Sequence, residues 1–249
     1  MMLHLATRLP DGALLGREEQ ALEQLLTRTN AARFVARPAD IQTEGDRITG
    51  WREARDAVVA EASTPNVGNS RFDSGPPGAL LCEEGRNCGF TLPGFAPKVE
   101  AFTAAILYRS SGQARSLLSV STGQANNMIY LNEVDGQILA QDRSGTVQIS
   151  LAAGQQHAVK SAILCYDGRA LRLACGAEAV LGNSRVPGMD HPADFFIGCR
   201  SNRPGLQKTL GQSRIHEVMF WPDRALLGSA LAEDRDMLAA LDRYLRWVW

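Results

Sequence analysis

The sequence predicts an all-β fold, an antiparallel β-sandwich with a short helix near the N-terminus and another at the C-terminus. Beyond Arg33 the chain consists of short apolar runs separated by Gly, Asn, Asp and Pro, a pattern typical of strands joined by turns. Residues 146–151 alternate polar and apolar side chains at a period of two, as a half-buried strand does. Three turn-forming pairs join consecutive runs as hairpins: Asp135-Gly136, Ser144-Gly145 and Asp167-Gly168.

Runs of this kind predict strands along the whole chain after Arg33. In chain order they cover residues 33–37, 46–51, 56–61, 99–108, 115–121, 127–133, 136–142, 146–151, 157–166, 170–175, 194–199 and 214–221. In the run 99–108 both alternating faces are apolar, with Phe102 and Ile106 on one face and Ala105 and Leu107 on the other. A strand of this type is covered on both sides, so we expect it at the centre of a sheet.

The segment that begins at residue 17 predicts a short amphipathic helix. Leu22, Leu25 and Leu26 follow the spacing of one helical face, with acidic residues early in the segment and Arg28 late. Two interpretations stay open for this apolar stripe. The helix packs on its own sandwich, or it is offered to a partner subunit, in which case these three leucines are the partner-binding residues.

After Pro222 the pattern becomes helical again. Ser229 is a candidate N-cap, and one apolar stripe follows it: Leu231, Leu238, Leu241, Leu245 and Val248. The sequence therefore predicts two parts. Residues 1–32 form an N-terminal helical extension that serves as an anchor or oligomerisation segment, and residues 33–249 form the sandwich with its C-terminal docking helix.

Composition excludes several classes of protein. The chain has 249 residues, 26 basic and 27 acidic side chains and a net charge of −1, without the basic surface that nucleic-acid binding requires. No apolar run approaches the roughly 20 residues of a membrane-spanning helix, so no membrane insertion is expected. The N-terminus lacks the pattern of a secretory signal, and we expect synthesis in the cytoplasm.

The cysteines and histidines do not follow metal-binding patterns. Five cysteines, without a C-x-x-C pair, predict reduced and partly buried thiols. If Asp167-Gly168 is a two-residue turn, Cys165 lies opposite Ala170 and Cys175 opposite Lys160, so these two cysteines are not cross-strand partners. The histidines have neither helical spacing nor acidic neighbours in a metal pattern. We therefore expect no cofactor.

Several segments resemble the concanavalin A-like jelly roll in its laminin G-like form. Similar stretches are Asp46 to Arg52, Phe102 to Tyr108, and the hairpin HAVKSAILCYDGRALRLACG. The most specific stretch runs from Gly211 to Leu226 and is followed by the terminal helix that ends in YLRWVW. The resemblance covers roughly residues 33 to 249. It implies a jelly-roll sandwich, and it implies carbohydrate binding, because members of this family act as extracellular adhesion modules.

A sugar site requires an aromatic ring beside amide and charged hydrogen-bonding groups. On the run 127–133, Tyr130 and Asn132 share one face, opposite Ile129 and Leu131, and could point outward together. The alternative is an ordinary polar sheet face without a ligand. The glycan-binding candidates are Asn127, Tyr130, Asn132, Gln137, Gln141, Asp142 and Arg143, with Asn126 beside them.

The same region and a nearby loop carry residues that occur in two further kinds of site, a catalytic pair of carboxylates and a calcium site. Glucanases of this fold use alternating carboxylates, and Glu133 and Asp135 have that spacing, but Ile138 stands where a further acid is expected. Asp135-Gly136 also predicts a turn, so we expect no catalytic residues. Asn183, Asp190 and Asp194 lie near one predicted loop, and their side-chain oxygens could bind calcium. The alternative is a solvated loop without a metal ion.

Together these features favour a non-enzymatic, glycan-binding adhesion module. A chain that lacks a signal peptide but resembles extracellular modules fits a surface component of a phage-like particle, such as a head spike or fibre. The expected partners are a cell-surface polysaccharide, other particle proteins and further copies of the chain in an oligomer. The alternatives are an assembly subunit without a ligand and a glycoside hydrolase that uses Glu133 and Asp135.

Overall fold

The structure, a computed structural model, describes residues 16–247 apart from 56, 65, 67, 84–85, 87, 126, 183–184, 187–188, 190 and 203–210. Over these residues the chain forms two antiparallel sheets and two α-helices, which confirms the predicted all-β sandwich with a helix near each end. No helix in this part of the chain is long and apolar enough to cross a membrane.

The elements follow one another in short succession. In chain order they are α1 (Arg17–Leu26), β1 (Ala32–Val35), β2 (Ile41–Glu44), β3 (Arg47–Arg52), β4 (Val59–Ala62), β5 (Arg71–Asp73), β6 (Ala79–Cys82), β7 (Phe90–Ala96), β8 (Phe102–Ser110), β9 (Leu118–Ser121), β10 (Met128–Val134), β11 (Gln137–Asp142), β12 (Gln148–Ala152), β13 (Lys160–Tyr166), β14 (Leu171–Cys175), β15 (Glu178–Leu181), β16 (Ala193–Ile197), β17 (Ser213–Trp221) and α2 (Ala232–Trp247).

The strands divide into two sheets that face each other. Sheet A has the order β15-β14-β13-β8-β17-β6-β5, and β1 pairs with β17 beyond the end of β6. Sheet B has the order β12-β11-β10-β9-β16-β7-β4-β3-β2. The inner faces of both sheets enclose the main apolar core, in which Trp51 is fully buried.

Strand β8 lies in the interior of sheet A, between β13 and β17, as its two apolar faces predict. Phe102 and Ile106 point into the core between the sheets. Ala105 and Leu107 point to the opposite face, where they belong to a second apolar cluster formed with the helices. Sheet A is therefore covered on both sides along this strand.

Helices α1 and α2 pack side by side on the outer face of sheet A. Leu22 and Leu26 are fully buried there in a cluster that includes Trp221 of the same chain, and Leu25 is half-buried at its margin. Leu22 and Leu26 therefore pack on the sandwich of their own chain, which agrees with the first of the two interpretations of this stripe and not with the second. The physical reason is that sheet A itself offers an apolar outer face.

The buried face of α2 differs from the predicted stripe. Leu231 precedes the helix and is exposed, whereas Val248 lies outside the described residues. The face that contacts sheet A and α1 is rotated, and its buried residues are Met237, Ala240, Leu241, Tyr244 and Leu245. Their spacing of three and four residues still follows one side of a helix.

All three predicted turns lie within the described residues. Ser144 and Gly145 lie in the turn that joins β11 to β12 as a hairpin, as predicted, after the last pair of Gln141 with Gln148. Asp135 and Gly136 have φ angles of 51° and 74°, and they join β10 to β11 as a two-residue turn, as predicted. The Asp167 turn is two residues longer than predicted, because the last pair before it is Tyr166 with Leu171. Cys165 therefore lies opposite Arg172 and Cys175 opposite Ala162.

Because two buried thiols have raised pKa values, we expect the free energy of unfolding to fall in alkaline solution. Burial raises the pKa of Cys165 from 9.0 to about 11 and that of Cys199 from 9.0 to about 12. In the unfolded chain both thiols ionise near their ordinary pKa, so above it the unfolded state binds fewer protons than the folded state. We expect the free energy of unfolding, measured with guanidinium, to fall as the pH rises from about 9 to about 12.

The variant Cys165→Ala provides the control for this prediction. It removes one of the two thiols, so its stability should decline less steeply with pH than that of the original chain. The slopes are compared, not the absolute stabilities, because Cys165 also contacts the Thr103 hydroxyl at 3.1 Å. Equal slopes for the two proteins would show that Cys165 does not contribute to the alkaline loss.

Candidate functional site

The outer face of sheet B carries the residues that the sequence singled out. Ile129 and Leu131 of β10 point into the core and are fully buried, so Tyr130 and Asn132 point to the opposite, outer face, as the alternation predicts. No helix in the described part of the chain packs on this face. We call the surface around Tyr130, Asn132 and Arg200 the Tyr130 face.

A cross-strand row of side chains organises the Tyr130 face. Residues directly opposite one another in a sheet project to the same side. The pairing of β16, β9, β10, β11 and β12 aligns Phe196, Ser119, Tyr130, Gln141 and Gln148 in this way. Burial decreases along the row, from the buried Phe196 and Ser119 to the exposed Gln148. The open end of the row is therefore the amide-bearing end.

Arg200 covers the ring of Tyr130. Its guanidinium carbon lies 4.0 Å from the centre of the ring, a cation–π contact, and the tyrosine is only 9% exposed. Its Nε donates a hydrogen bond of 2.8 Å to the Ser116 hydroxyl, and its Nη2 donates to the carbonyl of Arg115. Tyr130 therefore holds Arg200 in place and is not itself an open platform.

The surroundings of Arg200 are positively charged. Burial lowers the pKa of Arg200, and the nearby charges of Arg115 and Arg143 act in the same direction, whereas Tyr130 opposes them. Like charges brought together in this way favour a negatively charged neighbour. A bound carboxylate or sulfate would reduce the repulsion among the three guanidinium groups.

Asn132 contributes a polar atom whose hydrogen bonding is incomplete. The side chain is 5% exposed, and its Oδ1 atom has no hydrogen-bond partner among the described residues. Leaving a buried acceptor unsatisfied costs about 1–3 kcal/mol. Asn132 lies two positions from Tyr130 on the same face of β10, so this buried carbonyl lies next to the Tyr130 ring.

The other predicted residues of the site occupy different positions. Asn127 and Gln141 are half-buried at the margin of the face, and Gln137 is exposed on β11. Arg143 is exposed in the turn after β11, where its backbone N–H donates to Met128. Asn126 lies outside the described residues.

Asp142 does not lie on the Tyr130 face, which corrects its expected position beside Tyr130. It is buried on the inner side of β11, and its Oδ1 accepts a hydrogen bond of 2.7 Å from the backbone N–H of Val147. Its Oδ2 accepts from the Ser144 hydroxyl. The carboxylate therefore orders the β11–β12 turn, a role that the sequence pattern did not distinguish from an outward-facing acid.

Glu133 and Asp135 do not flank a common groove. Glu133 is fully buried between the sheets, where it accepts hydrogen bonds from Lys160 Nζ at 2.6 Å, Tyr108 at 2.7 Å and Ser110 at 2.8 Å. Burial and the charge of Glu133 raise the pKa of Tyr108 well above its ordinary value. Asp135 lies exposed in the turn that follows β10 and accepts from Gln113. The turn separates the two carboxylates that a continuous strand would have kept on one face.

The loop considered for calcium is described only in part. Asp194 is half-buried and accepts a hydrogen bond of 2.7 Å from the backbone N–H of Gly94, while Asn183 and Asp190 lie outside the described residues. Within the described part of the chain, no three His, Cys, Asp or Glu side chains are grouped so that they could hold a metal ion.

Comparisons with known proteins show the fold of the chain. No family model matches it, and no curated protein matches it. Among solved structures, Trypanosoma rangeli sialidase in complex with sialic acid matches with a TM-score of 0.53 and 13% identity, over 87% of this chain and 33% of the sialidase chain. A structure named HCR/D-Sa-GBL1/C matches with a TM-score of 0.54 and 10% identity, over 86% of this chain and 52% of that chain.

These similarities are similarities of fold. They show that the two sheets pack as the β-sandwich found in part of each of those proteins. The chain spans about a third of the length of the sialidase and about half of the length of the second protein.

Proposed function

We propose that this chain is a non-enzymatic glycan-binding module that contacts polysaccharide through the Tyr130 face. The observation that carries the proposal is the Tyr130–Arg200 stack, next to which Asn132 Oδ1 has no hydrogen-bond partner in the described part of the chain. A guanidinium group that is fixed on a ring presents hydrogen-bond donors in a defined plane, and sugar oxygens accept from such donors. The fold shared with part of a sialidase complexed with sialic acid is consistent with this function.

In this proposal Arg200 contacts the sugar, and Tyr130 positions Arg200. Gln141 and Asn127 supply amide groups at the margin of the face, where they are half-buried. Asn132 Oδ1 is buried beside Tyr130, so a sugar hydroxyl would donate to it only if the side chains that cover it move apart. Since Arg115 and Arg143 add positive charge, we expect acidic polysaccharides to bind more tightly than neutral ones of the same length.

The environment of Glu133 supports a function in binding without hydrolysis. Glycoside hydrolysis requires two carboxyl groups that flank the scissile bond. Glu133 is bonded to Lys160 inside the sandwich, and Asp135 lies in a turn. The hydrolase alternative therefore loses the pair of residues on which it depended, and we propose that bound polysaccharide keeps its length.

The biological setting of the proposal is a phage-like particle. A head spike or fibre that attaches to a cell-surface polysaccharide would combine this glycan contact with contacts to other particle proteins and to further copies of the chain. This setting rests on the resemblance to extracellular adhesion modules. The alternative, an assembly subunit without a ligand, predicts defined stoichiometry with particle proteins and no binding to any polysaccharide.

The test is binding of the purified chain to a panel of bacterial surface polysaccharides, with and without calcium, while the polymer length is monitored. We expect saturable binding with unchanged polymer length. Saturable binding together with shortening would contradict the non-enzymatic function. Absence of binding across the panel would overturn the proposal and favour the assembly subunit.

Substitutions in the Tyr130–Arg200 stack should weaken binding strongly. We expect Arg200→Ala and Tyr130→Ala each to raise the Kd for the bound polysaccharide by about tenfold or more, which corresponds to about 1.4 kcal/mol. The first variant removes the donor, and the second removes the ring that holds it. The measurement is isothermal titration calorimetry.

Tyr130→Phe is the matched control for these variants. It keeps the aromatic face under Arg200 and removes only the hydroxyl, so its Kd should stay within about twofold of the original value. Circular dichroism and thermal unfolding establish that each variant is folded. Unchanged affinity in folded Arg200→Ala and Tyr130→Ala would show that the sugar binds elsewhere.

A further inference from the structure

Two buried cysteines, Cys82 and Cys88, lie in contact where the two sheets meet. Cys82 is the last residue of β6 in sheet A, and Cys88 lies just before β7 in sheet B. The Cys88 thiol donates a hydrogen bond to the Cys82 sulfur. The Cys88 sulfur accepts a hydrogen bond from the backbone N–H of Glu83, the residue that follows Cys82. Both are free thiols in the structure, and we call them the Cys82–Cys88 pair.

The backbone around the Cys82–Cys88 pair leaves room for the sulfur atoms. Gly198, which follows β16, has a φ angle of 70°, and Gly89, which follows Cys88, has a φ angle of 115°. A Cβ atom on Gly198 would lie 2.9 Å from the Cys82 sulfur, a distance that real Cβ atoms essentially never show. The same Cβ atom would lie 3.5 Å from the Gly89 Cα. The Cys82 sulfur and the segment that contains Cys88 therefore converge beside Gly198.

Within the pair, Cys82 is the residue that a small molecule can reach. It lines an open cleft of about 370 Å³ on sheet A, whereas Cys88 is fully buried and does not line this cleft. The hydrogen bond from Cys88 lowers the pKa of Cys82 in spite of burial, and a hydrogen bond from Ser213 acts in the same direction. The thiolate is the reactive form of cysteine. A small oxidant that enters the cleft therefore meets the more reactive of the two sulfur atoms first.

The other three cysteines lack this combination of features. The Cys199 thiol donates to the Phe90 carbonyl at 3.7 Å, and burial raises its pKa to about 12. Burial raises the pKa of Cys165 to about 11. Cys175 is the most exposed of the five cysteines, but partial burial raises its pKa as well. Exposure and acidity therefore favour different cysteines, so an experiment can separate the two.

We propose that the Cys82–Cys88 pair is an oxidation site, at which a hydroperoxide converts the two thiols into a disulfide. The Cys82 thiolate attacks one peroxide oxygen, and the O–O bond breaks. Cys82 becomes a sulfenic acid, and the other oxygen takes up the thiol proton and leaves as water when the oxidant is hydrogen peroxide. The Cys88 sulfur then attacks the Cys82 sulfur, the S–S bond forms, and the sulfenic oxygen leaves as a second water with the Cys88 proton.

The disulfide changes how the sheets are connected. It bonds the last residue of β6, in sheet A, to the segment that enters β7, in sheet B, so a covalent link is added to the noncovalent contacts between the two sheets. The two thiols lose two electrons, and the hydroperoxide gains them. This modification does not involve the Tyr130 face and goes beyond the proposed function.

The experiment exposes the folded, reduced chain to hydrogen peroxide and then unfolds it in N-ethylmaleimide, which blocks the remaining thiols. Trypsin cleaves after Arg86, so a Cys82–Cys88 disulfide joins two separate peptides that mass spectrometry identifies. We expect the intact chain to lose two hydrogen atoms and these two peptides to be linked. The disulfide should form about tenfold faster, or more, than Cys165 or Cys199 is oxidised, because those thiols are less ionised.

Substitutions separate the roles of the two cysteines. Cys88→Ser removes the second thiol, so we expect a sulfenic acid at Cys82, trapped with dimedone on unfolding, and no disulfide. Cys199→Ser is the matched control, since Cys199 is buried nearby but does not take part. The Cys82–Cys88 disulfide should form in it at a rate within about twofold of that in the original chain. Circular dichroism establishes that each variant is folded, and the peptide map of the original chain decides the matter if a variant is not.

Three results would overturn the inference. Oxidation of Cys175, with Cys82 and Cys88 still reduced, would show that exposure alone decides which thiol reacts. A disulfide between Cys199 and either member of the pair would show that a different contact is the reactive one. A Cys82–Cys88 disulfide that forms only in the unfolded chain would show that the fold does not place the two sulfur atoms for reaction.

Discussion

Replacing Arg33 with methionine is expected to lower the free energy of unfolding by about 3–5 kcal/mol, the range for removal of one partner from a buried ion pair. Arg33 is buried on β1, and its Nε donates to Glu217 at 2.6 Å. Its Nη2 donates to the Tyr244 hydroxyl at 2.7 Å and to Glu19 at 2.9 Å, and its Nη1 contacts Glu23. This single guanidinium therefore connects α1, α2, β1 and β17.

The electrostatics of Arg33 explain the size of this effect. Burial acts to lower its pKa, but Glu217, Tyr244 and Glu23 outweigh burial and raise the pKa well above its ordinary value. The folded state therefore depends on the positive charge. Without it, the buried Glu217 would keep a hydrogen bond from Tyr244, at 2.6 Å, but would lose its ion pair.

Guanidinium unfolding followed by circular dichroism measures the effect, and Arg37→Met is the matched control. Arg37 also pairs with Glu19, at 3.2 Å, but its side chain is about half exposed. Exposed pairs contribute about 0–1 kcal/mol, so Arg37→Met should be nearly neutral. Equal effects of the two substitutions would contradict the proposed role of Arg33. Hydrogen exchange of α1 amides should also accelerate in Arg33→Met, because the helix loses its buried partner.

The substitution Lys160→Met should have an effect of similar size, about 3–5 kcal/mol, for the same physical reason. Lys160 is buried on β13 of sheet A, and its ammonium group lies 2.6 Å from Glu133 Oε1 of sheet B. The pair joins the two sheets across the sandwich. Methionine fills a comparable volume but leaves the Glu133 carboxylate buried without its counter-charge, although Tyr108 and Ser110 still donate to it.

A double-mutant cycle tests the coupling between Lys160 and Glu133. The variant Glu133→Leu with Lys160→Met removes both charges, and it should be more stable than Lys160→Met alone, because buried ion pairs can be replaced by apolar residues. Additive effects of the two substitutions would show that the pair is not coupled. The control is Lys98→Met, whose exposed pair with Glu100 should make no measurable difference.

Local patterns predicted strands well where polar and apolar residues alternate, but the short or interrupted strands were missed: β2, β5, β6, β7 and β15. Strand β7 contains Pro93 and Gly94, which predict a break. Both residues lie between Leu92 and Ala96, where the pairing of β7 with β16 is irregular. Pairing on both sides stabilises a strand that its own composition disfavours.

At the Tyr130 face, local sequence was sufficient for the residues of β10 and insufficient for their neighbours. Alternation along one strand correctly placed Tyr130 and Asn132 on one face, opposite Ile129 and Leu131. The alternation along β10 could not identify Ser119 or Arg200 as neighbours of Tyr130. Ser119 lies beside Tyr130 because β9 pairs with β10, and Arg200 follows β16, which pairs with the other side of β9. The only local signal was that the loop with Arg200 follows a predicted strand.

Buried charge was the other feature that only the tertiary structure decided. The sequence pointed to Glu133 through its spacing from Asp135 and to Asp142 as one of the polar residues near Tyr130. Both are buried, since Lys160 and Tyr108 of the opposite sheet satisfy Glu133 and the next turn satisfies Asp142.

The sequence by itself determined the fold class, the central strand and the faces of individual strands, because these depend on the period of side chains along a few residues. The partners of Tyr130, Glu133 and Arg33 depend on which distant segments pack together, and that is decided by strand pairing and packing across the whole chain.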